Sequence, residues 1–154
     1  MNKILVISQS TIGERLSKEI IKMAKELKDF EIIYKPHPKE IITQTSYLQE
    51  LSKFKNITIV NNTSLYALFA ECEWQIGVFS TALFEGLGFG LKTIILKLPG
   101  WQNLKSLDNL KGVNFISDFK QAIKIIKNET EQPELNYYFS DNALEKHISF
   151  FQKL

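Results

Sequence analysis

His37 sits in the run Lys35-Pro36-His37-Pro38, where prolines on both sides disfavour helix and ladder pairing and fix the imidazole in a stiff extended loop. A histidine held this way is a donor when neutral and a cation when protonated. It can therefore bind a phosphate and offset negative charge growing on a departing one. Ser80 and Thr81 are adjacent hydroxyls between an apolar run, Trp74 to Phe79, and a segment of helical spacing, Ala82 to Phe89. Hydroxyls in that position cap helices, and the same place, with the first free N–H groups of the helix, suits a phosphate. Glu85 follows Thr81 by four residues and falls on the same helix face. It can accept hydrogen bonds from ribose hydroxyls, or serve as a polar residue early in the helix. Ser10 and Thr11, with Ser8 and Gly13, make a polar turn that could hold a phosphate or a sugar, although turn chemistry explains them as well. Thr63 belongs to a further polar loop, Asn61-Asn62-Thr63-Ser64, in which Ser64 is placed to cap a helix.

Several chemistries are excluded by what is missing. There is no Gly-Lys-Ser/Thr phosphate loop, and Gly13 alone does not make a Gly-x-Gly-x-x-Gly fingerprint. A Gly-x-Ser-x-Gly elbow is absent, and no carboxylate pair has a distinctive spacing. The single cysteine, Cys72, allows no internal disulfide and no Cys-based metal site. The two histidines, His37 and His147, are far apart, so no metal is expected. His147 falls in a terminal amphipathic segment and reads as a surface residue.

The elements that must position these residues alternate along the chain. An apolar run from Lys3 to Ile7 has the pattern of a buried parallel strand. After the Ser8 to Gly13 turn, Leu16, Ile20, Met23, Ala24 and Leu27 recur at helical spacing. Glu31 to Tyr34 is the second strand and leads into the Pro-His-Pro loop. A helix follows over Thr45 to Phe54, then a strand from Ile57 to Val60 and a short helix from Ser64 through Ala70. Trp74 to Phe79 and Ala82 to Phe89 are the fourth strand and its helix. Thr93 to Leu96 is the fifth strand, and the segment from Lys97 to about Leu110 shows no clear periodicity. Asn114 to Ile116 is a short sixth strand, and Phe119, Ala122, Ile123 and Ile126 mark a helix. Residues 137–154 form a last amphipathic helix with Leu144, Ile148, Phe151 and Leu154 on one side.

This alternation predicts an α/β, Rossmann-like open parallel sheet of about six strands with helices on both faces. Ligands of such a sheet bind beyond the carboxyl ends of the strands. The loops carrying Ser10 and Thr11, His37, Thr63, and Ser80 and Thr81 all follow strands, so all are expected on that one edge.

With 154 residues, 44% of them hydrophobic, the chain reads as one domain spanning 1–154. Its basic residues are eighteen lysines and one arginine, Arg15, scattered among 17 acids for a net charge of +2. The absence of a basic stripe argues against a nucleic-acid partner. The longest uncharged run, Asn56 to Ala70, falls short of the roughly 20 apolar residues of a membrane span. With no basic-then-apolar leader before the first strand, the expected location is cytoplasmic.

Tyr34-Lys35-Pro36-His37-Pro38 after the second strand, and Val78-Phe79-Ser80-Thr81-Ala82-Leu83-Phe84-Glu85-Gly86 at the end of the fourth, resemble a known pairing in this order. They resemble the carboxyl-terminal nucleotide-binding half of GT-B glycosyltransferases that carry a His-Pro and a Ser-Ser/Thr motif. These are the bacterial sialyl- and polysialyltransferases, capsule Kdo transferases and teichoic-acid glycerophosphotransferases. The resemblance covers about Lys3 to Trp101. It implies that His37 contacts the donor phosphate as the catalytic histidine, that Ser80 and Thr81 bind the same phosphate, and that Glu85 matches the acid often following that pair. It implies a nucleotide-sugar as substrate, CMP- or CDP-linked, for surface polysaccharide synthesis, with no resident metal or cofactor. Some members read a cytosine with a carboxylate after the third strand, where this chain has Asn62, Thr63 and Ser64. The acceptor site and base of such enzymes come from an amino-terminal Rossmann-like domain. That domain, or a separate subunit supplying it, is the expected partner, and peripheral membrane association would come through it. The isolated half is expected to bind nucleotide and transfer nothing. Two other readings stand beside this one: a UDP-sugar 2-epimerase-like half, which shares the architecture, and a non-catalytic module that docks a partner chain.

Overall fold

The computed structural model describes residues 2–128. The expected terminal helix over 137–154, and with it His147, lies outside the described residues. Six strands form one all-parallel sheet: β1 (Lys3–Ile7), β2 (Glu31–Lys35), β3 (Ile57–Ile59), β4 (Trp74–Gly77), β5 (Lys92–Leu96) and β6 (Val113–Ile116), in the spatial order β3-β2-β1-β4-β5-β6. The expected α/β sheet is thus present with all six strands. Its order reverses direction between β1 and β4, which opens a crevice above their carboxyl ends.

Alternation along each strand assigns its side chains to two cores. Ile4, Val6, Ile32, Tyr34, Trp74, Ile76, Ile94 and Leu96 point to one face. There they meet α1 (Gly13–Glu26), α2 (Ser46–Leu51) and α5 (Phe119–Lys127) through Leu16, Ile20, Met23, Leu48, Leu51, Ala122 and Ile126. Leu5, Ile7, Ile33 and Ile95 point to the other face, against α3 (Leu65–Glu71), α4 (Ala82–Gly88) and a 3-10 helix, Trp101–Leu107. Both faces being covered is why the central strands read as unbroken apolar runs.

Element boundaries differ from the sequence reading where tertiary bonds intervene. The expected helix over Thr45 to Phe54 is preceded by a 3-10 turn, Ile42–Gln44, and its last residues tighten into i→i+3 bonds, Lys53 N–H to Glu50 and Phe54 N–H to Leu51. The fourth strand ends at Gly77 rather than Phe79, because Phe79 N–H leaves the ladder for the Gln9 side chain. The segment without periodicity contains the 3-10 helix, whose three-residue turn buries Leu104 and Leu107 together. Ser64 does cap α3, its hydroxyl accepting Tyr66 N–H at 3.2 Å.

Candidate functional site

The loop after β2 is a tight turn, not an extended loop. Glu40 N–H donates to the His37 carbonyl at 2.8 Å, with Pro38 at the second turn position, where its fixed φ is favoured. The turn is closed twice more by side chains. His37 N–H donates to the Glu40 carboxylate at 2.8 Å, and Lys39 N–H donates to His37 Nδ1 at 3.1 Å. Because Nδ1 accepts a hydrogen bond, a neutral His37 carries its proton on Nε2. Nε2 has no hydrogen-bond partner among the described residues. The half-buried ring therefore presents one donor outward.

Beneath the turn lies a buried polar group. Tyr34, in β2, donates to Ser8 Oγ at 3.1 Å. Tyr47, in α2, donates to the second oxygen of Glu40. Burial holds both tyrosine hydroxyls above their usual titration range, helped at Tyr47 by the bond to Glu40. Ser8 is thus a core residue of the expected phosphate turn, not a surface one.

The loops after β2 and β3 are joined by Lys35 Nζ, which donates to the Asn61 carbonyl at 3.0 Å. Between them runs a groove of about 600 Å³, within the range of small-molecule sites. His37, Lys35, Asn61 and Asn62 supply its polar groups, and Ile41, 48% exposed, supplies an apolar surface beside Ile42. Thr63 is exposed in the same loop as Asn61 and Asn62.

Across the switch point, the loops after β1 and β4 are tied by Gln9, whose side-chain oxygen accepts Phe79 N–H at 3.2 Å. Ser80 Oγ accepts Ala82 N–H at 3.2 Å and Ser80 O accepts Leu83 N–H at 3.2 Å, so Ser80 caps the short α4. Thr81 is exposed and makes no capping bond. The N–H groups of Ser80 and Thr81 have no partner among the described residues. The turn is held in place from below by Gln75 of β4, fully buried, whose Nε2 donates to the Leu83 carbonyl and to Thr93 Oγ1, both at 2.8 Å. Gly86 lets α4 close onto that amide, since a side chain there would overlap it.

The sheet order sets the distance between the two halves of the site. β1 lies between β2 and β4, so the strands that lead into the His37 turn and the Ser80–Thr81 turn run two strand spacings apart, roughly 9.6 Å. The two turns share the carboxyl edge, and among the described residues no hydrogen bond joins them. Ser10 and Thr11 lie between them, exposed, in the turn before α1; neither hydroxyl caps that helix. Glu85 is half-buried on α4 with its carboxylate beside the Tyr66 hydroxyl of α3, holding that phenol above its ordinary pKa. Sequence reasoning missed Gln9, Lys35, Glu40, Asn61 and Tyr47. Glu40 alone carried a signal, a carboxylate three residues past a histidine in a proline turn; the others are paired only by the fold. Among the described residues no group of three or more His, Cys, Asp and Glu could hold a metal ion, and no helix is long and apolar enough to cross a membrane.

The parallel order with its switch point and loop-built edge defines a doubly wound, Rossmann-like fold. Neither a protein-family model nor a curated protein matches the sequence. Solved structures share the fold. The UDP-GlcNAc 2-epimerase of Methanocaldococcus jannaschii, in complex with UDP-GlcNAc and UDP, superposes with a TM-score of 0.67 at 16% identity, over 98% of this chain and 44% of that one. MurG of Acinetobacter baumannii gives 0.60 at 13%, over 99% and 49%, and the wall teichoic acid polymerase TagF gives 0.57 at 16%, over 98% and 35%. The fold is therefore that of one half of GT-B glycosyltransferases and UDP-GlcNAc 2-epimerases. This chain spans less than half the length of each of these three proteins.

Proposed function

We propose that this chain is the donor-binding half of a glycosyltransferase or alditol-phosphate transferase that takes a CMP- or CDP-linked donor in bacterial surface polysaccharide synthesis. The observation that carries the reading is the shared edge itself. The unpartnered Nε2 of His37 stands at the carboxyl end of β2, and the unpartnered N–H groups of Ser80 and Thr81 stand at that of β4, one on each side of β1. A phosphate bridging them would receive donors from both sides, and these would strengthen as the phosphate departs in a direct displacement at the donor carbon, or at phosphorus for an alditol phosphate. The groove beside His37 offers the polar groups of Asn61 and Asn62 and the apolar face of Ile41 to a base or sugar. Glu85, beside Tyr66, and Ser10, Thr11 and Thr63 are proposed as outer contacts of the same ligand. An amino-terminal Rossmann-like domain, in the same or a separate polypeptide, would supply the acceptor site and the base.

Calorimetric titration of the full chain with CMP, CDP, UDP and GDP tests this. Binding of CMP or CDP at millimolar strength or tighter is expected, and no binding to any of the four overturns it. His37→Ala should weaken that binding several-fold; an unchanged affinity would make the histidine a structural member of its turn. A UDP-sugar 2-epimerase-like half is the second reading, favoured by the TM-score of 0.67 to such an epimerase. It predicts preference for UDP.

A further inference from the structure

Glu40 is 5% exposed and the one buried carboxylate among the described residues, with no cation within ion-pair distance among them. A carboxylate removed from water without a cation is unfavourable unless hydrogen bonds and dipoles replace the lost hydration. Three groups do so here. His37 N–H donates to one oxygen at 2.8 Å, the Tyr47 hydroxyl donates to the other, and the first residue of the 14-residue α1, Gly13, lies against the carboxylate. The positive end of that helix therefore meets the negative charge. Gly13 leaves the room: a methyl group there would overlap both the carboxylate and the Tyr47 hydroxyl.

This arrangement acts on one residue. Glu40 grips His37 at both backbone groups, its carboxylate on the N–H and its own N–H on the carbonyl. With the backbone held, Lys39 N–H reaches Nδ1 at 3.1 Å, and that bond fixes both the ring orientation and the tautomer.

We propose that Glu40 is a positioning residue for His37, its carboxylate and Tyr47 fixing the turn so that the imidazole keeps Nε2–H unpartnered at the carboxyl edge, free to donate to a ligand. The proposal rests on the reading of His37 as a phosphate-facing group and adds what holds it there. It also predicts which part of Glu40 matters. The oxygen that accepts His37 N–H is needed and the charge is secondary, so Gln should substitute and Ala should not.

The test records the imidazole nitrogens of the full chain by long-range proton–nitrogen NMR, with His37→Ala separating His37 from His147. Wild type and Glu40→Gln should show the Nε2–H tautomer, and Glu40→Ala, folded by circular dichroism, should show mixed tautomers. A folded Glu40→Ala with an unchanged His37 pattern overturns the proposal. If Glu40→Ala fails to fold, Tyr47→Phe, which removes one of the two hydrogen bonds holding the carboxylate, should still introduce a second tautomer, and its absence overturns it. This arm needs no nucleotide, so it decides the role of Glu40 even if the nucleotide reading fails. Where one of the four nucleotides binds, Glu40→Ala should weaken it about tenfold, the loss of one hydrogen bond to a charged group, and the double variant with His37→Ala should lose no more than either alone. Losses that multiply would place Glu40 outside the action of His37.

Discussion

Replacing Gly13 by Ala sets two effects of opposite sign against each other. Alanine is the better helix former by up to about 1 kcal/mol, and Gly13 is not among the glycines with positive φ, so its backbone suits any residue. By local rules the substitution stabilises α1. The tertiary contacts reverse this, because the new methyl would overlap the Glu40 carboxylate and the Tyr47 hydroxyl and lie 3.0 Å from Tyr47 Cζ. Glu40 must then retreat and abandon its 2.8 Å bond from His37 N–H. A hydrogen bond to a charged group contributes about 1.5–3 kcal/mol, more than the helix gains, so a net loss of about 1–2 kcal/mol follows. For a chain of this size that lowers Tm by roughly 3–6 °C. Thermal melting followed by circular dichroism measures it, and the loss should shrink in a Tyr47→Phe background, where part of the overlap is gone. A Tm at or above that of the wild type, with the His37 tautomer unchanged, would refute the reasoning.

Gly100→Ala should be more damaging, since φ is +101° and an added Cβ would meet Phe79 Cε2 at 2.8 Å; a loss of about 2 kcal/mol or more is expected from left-handed strain and ring displacement, read from chemical denaturation. Ser64→Ala removes the cap of α3 and should cost about 1 kcal/mol, with Ser64→Asp restoring most of it; equal stability of all three chains would show that the cap contributes nothing. Burial pushes the Cys72 thiol up from 9.0 to about 12. The folded state thus favours the neutral thiol, so its contribution is complete below pH 9 and is lost as pH rises toward 12. Cys72→Ala should flatten stability over that range, and the native thiol should resist alkylation at neutral pH until the chain unfolds.

Much of this protein is legible without coordinates. The unbroken apolar runs Ile4 to Ile7, Ile32 to Tyr34 and Ile94 to Leu96 report strands buried on both faces, and the helical spacing of Leu16, Ile20 and Met23 reports a helix covering one of them. Alternation of the two patterns fixes a parallel sheet, and chain direction alone then puts every strand-to-helix loop on the carboxyl edge. That reasoning puts His37, Ser80 and Thr81 on one edge.

The sequence by itself thus determined which residues share an edge, because period and chain direction are local properties. Tertiary structure decided which of them are neighbours. Strand order is set by how whole strands and helices pack, and placing β1 between β2 and β4 holds His37 apart from Ser80 while bringing it beside Asn61 and Asn62. It also made Glu40, whose place three residues after His37 is only a faint signal in the sequence, the buried partner of His37. That depends on α1 and α2 delivering Gly13 and Tyr47 to the same place, and no pattern within a single element records contacts made between elements.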